Sequence, residues 1–189
     1  MIRTLQIAIG IQISLMLIVS CSVLNKSLKY QESIIYEGKG INEIRLDSLT
    51  INDVIPKLGK QYKIKEWGKY SYEYKYPKVG ISFWYKQSNK EKNIISISFY
   101  TNKFKGRTSK GLSISTQTTL REIIKIYGNP EWGYAGDSDV VDAEYEELGI
   151  YFSFRKLKEE DEIIENNETQ FYIDKNPVEI VIGIIGTDY

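Results

Sequence analysis

The sequence predicts an α+β protein built from two tandem αβββ repeats, with an antiparallel sheet and helices packed on one face. Three observations predict it. A shift of 69 residues superimposes two anchor blocks of the chain. Each block opens on a Thr-x-x-acid start followed by an apolar stripe at helical spacing. The runs after each stripe alternate apolar and polar with period two, the mark of a half-buried strand.

The chain begins with a segment that stands apart from this pattern. Arg3 supplies a positive start, and Leu5 to Val19 form an apolar run that ends abruptly at Ser20-Cys21. The run is short for a bilayer-spanning helix, which needs about 20 apolar residues. Residues 1–20 therefore read as an export signal. Ile18-Val19-Ser20-Cys21 resembles the lipobox of bacterial lipoproteins, and Cys21 is the only cysteine. The resemblance implies cleavage between Ser20 and Cys21, a diacylglycerol on the Cys21 sulfur, and attachment to a membrane through that lipid. Ser22 stands where many inner-membrane lipoproteins carry Asp, which favours the outer membrane. Residues 21–38 are expected to be the anchor and a polar tether.

Repeat 1 is expected over 39–107 and repeat 2 over 108–189. Thr50-Ile51-Asn52-Asp53-Val54-Ile55 with Gly59 matches Thr119-Leu120-Arg121-Glu122-Ile123-Ile124 with Gly128. In the second copy Thr119 and Glu122 form a capping box, Leu120, Ile123, Ile124 and Tyr127 make the apolar stripe, and Gly128 and Pro130 end the helix. In the first copy Pro56 stands where Lys125 stands, so that helix is expected to be short, kinked or late in starting. Tyr70, Tyr72, Tyr74 and Tyr76 alternate with polar residues and give the first strand. Gly80-Ile81-Ser82-Phe83-Trp84-Tyr85 matches Gly149-Ile150-Tyr151-Phe152-Ser153-Phe154 and gives the second. Ile95, Ile97 and Phe99 match Ile180, Ile182 and Ile184 at a shift of 85, which places a 16-residue insertion in the second copy.

The layout resembles the tandem αβ repeat of the β-lactamase inhibitory proteins. Its single unit resembles the small outer-membrane assembly lipoproteins of the BamE/SmpA type. The residues that carry the resemblance are the Thr-x-x-Glu start, the ending Tyr127-Gly128-Asn129-Pro130, the strands that follow, and the lipobox in front. It implies a surface presented to another protein, without catalysis.

Composition narrows the chemistry. The 189 residues are 42% hydrophobic and 26% charged, near the globular averages, which excludes wholesale disorder and a polytopic membrane protein. No histidine is present, so Ser-His-Asp and Cys-His mechanisms are absent and the commonest transition-metal ligand is missing. An enzyme would have to rely on carboxylates, lysine or serine, and no such constellation stands out, so no catalytic residue, cofactor or metal is expected. Asp137-Ser138-Asp139 with Asp142 and Glu144 departs from the calcium-loop spacing and reads as a solvated acidic loop. The tyrosine ladder with its neighbouring lysines reads as a core face, not as a nucleic-acid platform.

Trp84 points opposite to Ile81, Phe83 and Tyr85, and its counterpart is Ser153. It is either covered by loops or an aromatic anchor of the kind interfaces favour. The candidate partner surface is Trp84, Tyr151, Asp137 and Asp139. Charge is split: residues 22–110 carry 18 Lys+Arg and 8 Asp+Glu, residues 111–189 carry 6 and 17. The expectation is a non-catalytic, membrane-anchored envelope lipoprotein that binds another protein. The alternative is a binder of a small ligand or glycan through the Tyr/Trp surface, and clustered carboxylates of raised pKa would point instead to catalysis.

Overall fold

The structure is a computed structural model and describes residues 33–46, 48–68, 71–86, 88, 90–134, 139–156 and 168–183. The signal segment, Ser20, Cys21, Tyr70, Asp137 and the acidic run 159–162 lie outside these residues.

Eight antiparallel strands form the main sheet. In chain order they are β4 (Lys63–Trp67), β5 (Ser71–Tyr76), β6 (Ile81–Lys86), β7 (Ser96–Tyr100), β10 (Glu131–Tyr134), β11 (Val140–Tyr145), β12 (Ile150–Arg155) and β13 (Glu179–Gly183). Their spatial order is β10-β11-β12-β13-β7-β6-β5-β4. The two four-strand halves meet where β13 pairs β7, with Ser98 opposite Val181. A second, five-stranded sheet gathers β1 (Ser33–Tyr36), β2 (Gly40–Ile41), β3 (Ile44–Arg45), β8 (Gly106–Thr108) and β9 (Ser113–Ile114).

Two helices of equal length precede the halves, α1 (Ile51–Leu58) and α2 (Leu120–Tyr127), and a short α3 (Glu168–Tyr172) precedes β13. Both starts are boxed by the acid at the third helical position. The Thr50 amide donates to Asp53 Oδ2 and the Thr119 amide to Glu122 Oε2, each at 2.9 Å. Both ends turn at a glycine of positive φ, 84° at Gly59 and 87° at Gly128, whose amides return to the Ile55 and Ile124 carbonyls. Pro56 lies inside α1. It neither delays nor shortens α1 relative to α2, since both helices span eight residues, although the ring forfeits the hydrogen bond to the Asn52 carbonyl.

The core lies between these helices and one face of the main sheet. Ile51 and Val54 of α1 and Leu120 and Ile123 of α2 are fully buried, in one continuous cluster with Phe83, Phe99, Phe152 and Phe154. Tyr127 of α2 packs on Tyr145 and Phe152 at centroid distances of 5.3 and 5.6 Å. Tyr74 and Tyr76 belong to this core, so the ladder is a core face.

Four expectations are corrected. Each half contributes four strands, not three: β4 and β10 are the added sheet edges, and β4 is exposed at every position, so burial gives it no period-two signature. Ile97 stands opposite Phe83 and Ile180 opposite Phe152, an offset of 83 against the expected 85. That leaves 14 extra residues where the sequence suggested 16. The tether cannot run to Gly38, because Ser33–Tyr36 is a strand whose Ser33 and Ile35 are buried. And antiparallel pairing is not universal, since β1 runs parallel to β8.

Glu37, in the turn after β1, ties the small sheet to α2. It accepts hydrogen bonds from the Tyr127 hydroxyl at 2.6 Å, from the Ser109 hydroxyl and from the Lys110 amide. Burial alone would raise its pKa, but the Ser109 and Tyr127 bonds outweigh that and hold it below the usual value. A depressed carboxyl contributes stability above its unfolded pKa and loses it as pH falls through the folded one. Glu37→Gln should therefore cost about 1–2 kcal/mol at neutral pH. The cost should shrink on acidification below about pH 4.5, as read by chemical denaturation across pH.

Candidate functional site

Helices cover one face of the main sheet, and among the described residues no helix covers the other. Directly paired residues share a face, so the register maps this surface. One cross-strand row runs Glu144, Tyr151, Val181, Ser98, Ser82, Lys75. The next runs Asp142, Ser153, Glu179, Tyr100. A third runs Glu73, Trp84, Ser96. Serines at the centre keep the surface low, and a depression of about 570 Å³ forms there. Trp84, Tyr151, Val181, Asp142, Glu144 and Glu179 line it.

Trp84 is half-buried, which combines the two expectations for it. Its ring lies 5.6 Å from that of Trp67 on the edge strand β4, and its indole N–H donates to the Ser98 hydroxyl at 3.0 Å. Ser98 also hydrogen-bonds the Glu179 carboxylate, linking the indole to that acid. Trp67 is exposed, with the Lys65 ammonium 3.2 Å above its ring centroid.

Glu131, opposite Glu144, also stands on this face, and four other carboxylates there are shifted, in two different directions. Glu73 is 2% exposed and well satisfied. It accepts from Ser82 Oγ at 2.6 Å, Tyr100 OH at 3.0 Å and Trp67 Nε1 at 3.1 Å, with the Lys75 ammonium at 4.0 Å. Burial pushes its pKa up, but these donors win and hold it below the usual value. The other three shift the opposite way. Burial raises Asp142 against one bond from Ser153. Burial raises Glu144, helped by the charges of Asp142, Glu146 and Glu131. Burial raises Glu179 against the Ser98 bond, with the charges of Glu73 and Asp142 adding and that of Lys75 subtracting. Asp142 Oδ1 is buried with no hydrogen-bond partner.

Of the sequence-predicted site residues, the structure brings Trp84 and Tyr151 to one depression. Asp139 is exposed, precedes β11 and does not line it. Asp142 and Glu144 leave the acidic loop to which the sequence assigned them and stand on β11. Glu73, Glu179 and Ser98 were missed. Their only sequence signal was polar alternation, which any solvated strand face shares. Among the described residues no group of three or more carboxylates is placed to hold a metal ion, and no helix is long and apolar enough to cross a membrane.

No family model matches the chain, and no curated protein matches it. Two solved structures resemble it. The uncharacterized protein YfeY of Escherichia coli aligns with a TM-score of 0.51 at 14% identity, over 79% of this chain and 98% of that one. A DUF4309 family protein, YjgB, of Bacillus subtilis subsp. subtilis str. 168 aligns with a TM-score of 0.42 at 13% identity, over 78% of this chain and 88% of that one. At these identities the first likeness speaks to the fold alone.

Proposed function

We propose that the chain is a membrane-anchored cell-envelope lipoprotein that works without catalysis and holds another protein on the open face of its main sheet. The observation that carries this reading is the asymmetry of the sheet: helices bury one face, while the other keeps Trp84, Tyr151 and Val181 around an open depression. Half-buried aromatics ringed by polar groups are what protein interfaces favour. In the same reading Cys21 carries the lipid after cleavage at Ser20, anchoring the chain to the outer rather than the inner membrane.

The architecture is proposed to be a tandem duplication of an α-plus-four-strand unit. The offset of 69 residues relates α1 to α2, β5 to β11 and β6 to β12. With the third strands offset by 83, a two-fold axis would pass through the Ser98–Val181 pair at the sheet centre. Duplication would place Glu73 and Asp142 at equivalent sites, and Trp84 and Ser153 likewise.

A second reading, binding of a small ligand or glycan, draws support from the concavity between Trp84 and Tyr151. The raised carboxylates are also what general acid catalysis uses. Catalysis gains from excluding water, and this depression is a wide patch of open sheet, so binding is preferred.

A photo-crosslinking residue at Ser96 in intact cells tests the reading. It should trap a discrete protein, and Trp84→Ser should cut the yield by about tenfold, the loss typical of an interface anchor. Trapping of oligosaccharide alone, or of nothing, would reject it. In the same cells Cys21→Ser should release the chain from the membrane fraction; unchanged mass and membrane association would reject the anchor.

A further inference from the structure

Resting on the protein-binding reading, the geometry points to one chemistry for the partner: an arginine side chain, presented by the bound protein, that enters the depression at its acidic end between Asp142, Glu144 and Glu179. Charge on the open face is divided unevenly: apart from Glu73 on β5, its carboxylates stand on β10, β11 and β13. The lysines Lys63, Lys65, Lys75 and Lys86 all stand on β4, β5 and β6, while the three carboxylates stand on β11 and β13. Among the described residues of the acidic half, Arg155, at the end of β12, stands on this face as a cation. Among the described residues the ion pairs within 4.0 Å are Lys57–Glu43, Lys75–Glu73 and Arg121–Asp174, so none of the three carboxylates is paired.

The comparison with Glu73 sharpens this. Glu73 has three neutral donors and its own ammonium, and burial costs it nothing net. Asp142, at the corresponding position of the other half, has one serine and a buried oxygen with no partner. An acceptor left without a donor favours a partner that supplies donors beside it. The three acids are not gathered closely enough to chelate a metal ion. A planar guanidinium with five donors can reach separated carboxylates at once. Its stem would lie along Val181 and its plane against Tyr151, both of which line the depression.

The test uses the purified whole chain and two probes, N-acetylarginine amide and N-acetylcitrulline amide, which differ in charge and not in shape. In NMR titrations the arginine probe should shift the amides of β11, β12 and β13, and bind about tenfold more tightly than the citrulline probe. Asp142→Asn with Glu179→Gln should abolish that preference, whereas Glu43→Gln on the β2–β3 turn should leave it intact. Equal binding of the two probes, no shifts on those strands, or a preference that survives the double variant would overturn the proposal. So would sedimentation showing that a second copy of the chain fills the face. Repeating the Ser96 crosslink in the double variant separates the two ideas. Undiminished protein capture there leaves protein binding standing and removes the arginine, whereas no capture even in the parent chain removes protein binding itself.

Discussion

Phe99→Ala and Phe152→Ala should each lower the midpoint of one shared unfolding transition, at a cost of about 3–5 kcal/mol apiece. Both rings are fully buried, one on β7 in the first half of the sheet and the other on β12 in the second. Phe99 packs on Phe104 with centroids 4.7 Å apart, and Phe152 packs on Tyr127 and Tyr145. Truncation removes transfer energy and leaves a cavity that the surrounding strands cannot close. The shared transition follows from the β7–β13 pairing and the continuous core, which make neither half an independent unit. Calorimetry should therefore give a single peak for both variants. Two separated peaks, with each substitution moving only one, would refute the continuity.

Glu73→Gln and Asp142→Asn should act with opposite signs. Glu73→Gln removes a charge that satisfies three donors and Lys75, and turns an amide N–H₂ toward at least one of those donors. The expected loss is about 2–3 kcal/mol at neutral pH. Because the folded pKa of Glu73 is depressed, this contribution is present above the unfolded pKa and disappears as pH falls through the folded one. Asp142 and Glu179 are raised, so the folded state holds their protons longer than the unfolded chain does. Their ionisation lowers stability as pH rises from the ordinary carboxyl range through the raised values. Asp142→Asn should thus gain on the order of 1 kcal/mol at neutral pH and nothing in acid. Urea denaturation of both variants at neutral and acidic pH reads the two signs directly. A neutral-pH loss in Asp142→Asn would show that this carboxylate is satisfied after all.

Local signals in the sequence were enough to place α1, α2 and the central strands, while α3 fell within the expected insertion. The boxes at Thr50 and Thr119, the stops at Gly59 and Gly128, and the alternations in Ile81–Tyr85 and Ile150–Phe154 each depend only on near neighbours in the chain. What depended on partners was lost. Ile95-x-Ile97-x-Phe99 and Ile180-x-Ile182-x-Ile184 remain in phase when slid by two, because the side-chain period is two, so only cross-strand pairing could separate a shift of 85 from one of 83. The strands of the small sheet are two to four residues long, too short to build a period. At the site, Trp84 was legible because an aromatic on the polar side of a strand is conspicuous. Glu73 and Asp142 were not, since nothing near them in the chain tells a buried carboxylate from a solvated one.

The order of the main sheet has a consequence for how the chain comes into being. β13 follows every other described strand in sequence, yet it lies at the middle of the sheet with β12 on one side and β7 on the other. Until residue 183 has left the ribosome, both of those neighbours present bare edges and neither half can close. The decisive contacts join segments about 80 residues apart, the kind of distant pairing that slows folding. A polypeptide wired in this way completes its main sheet only when the last of the described strands arrives. Until then its unpaired strands are exposed to aggregation.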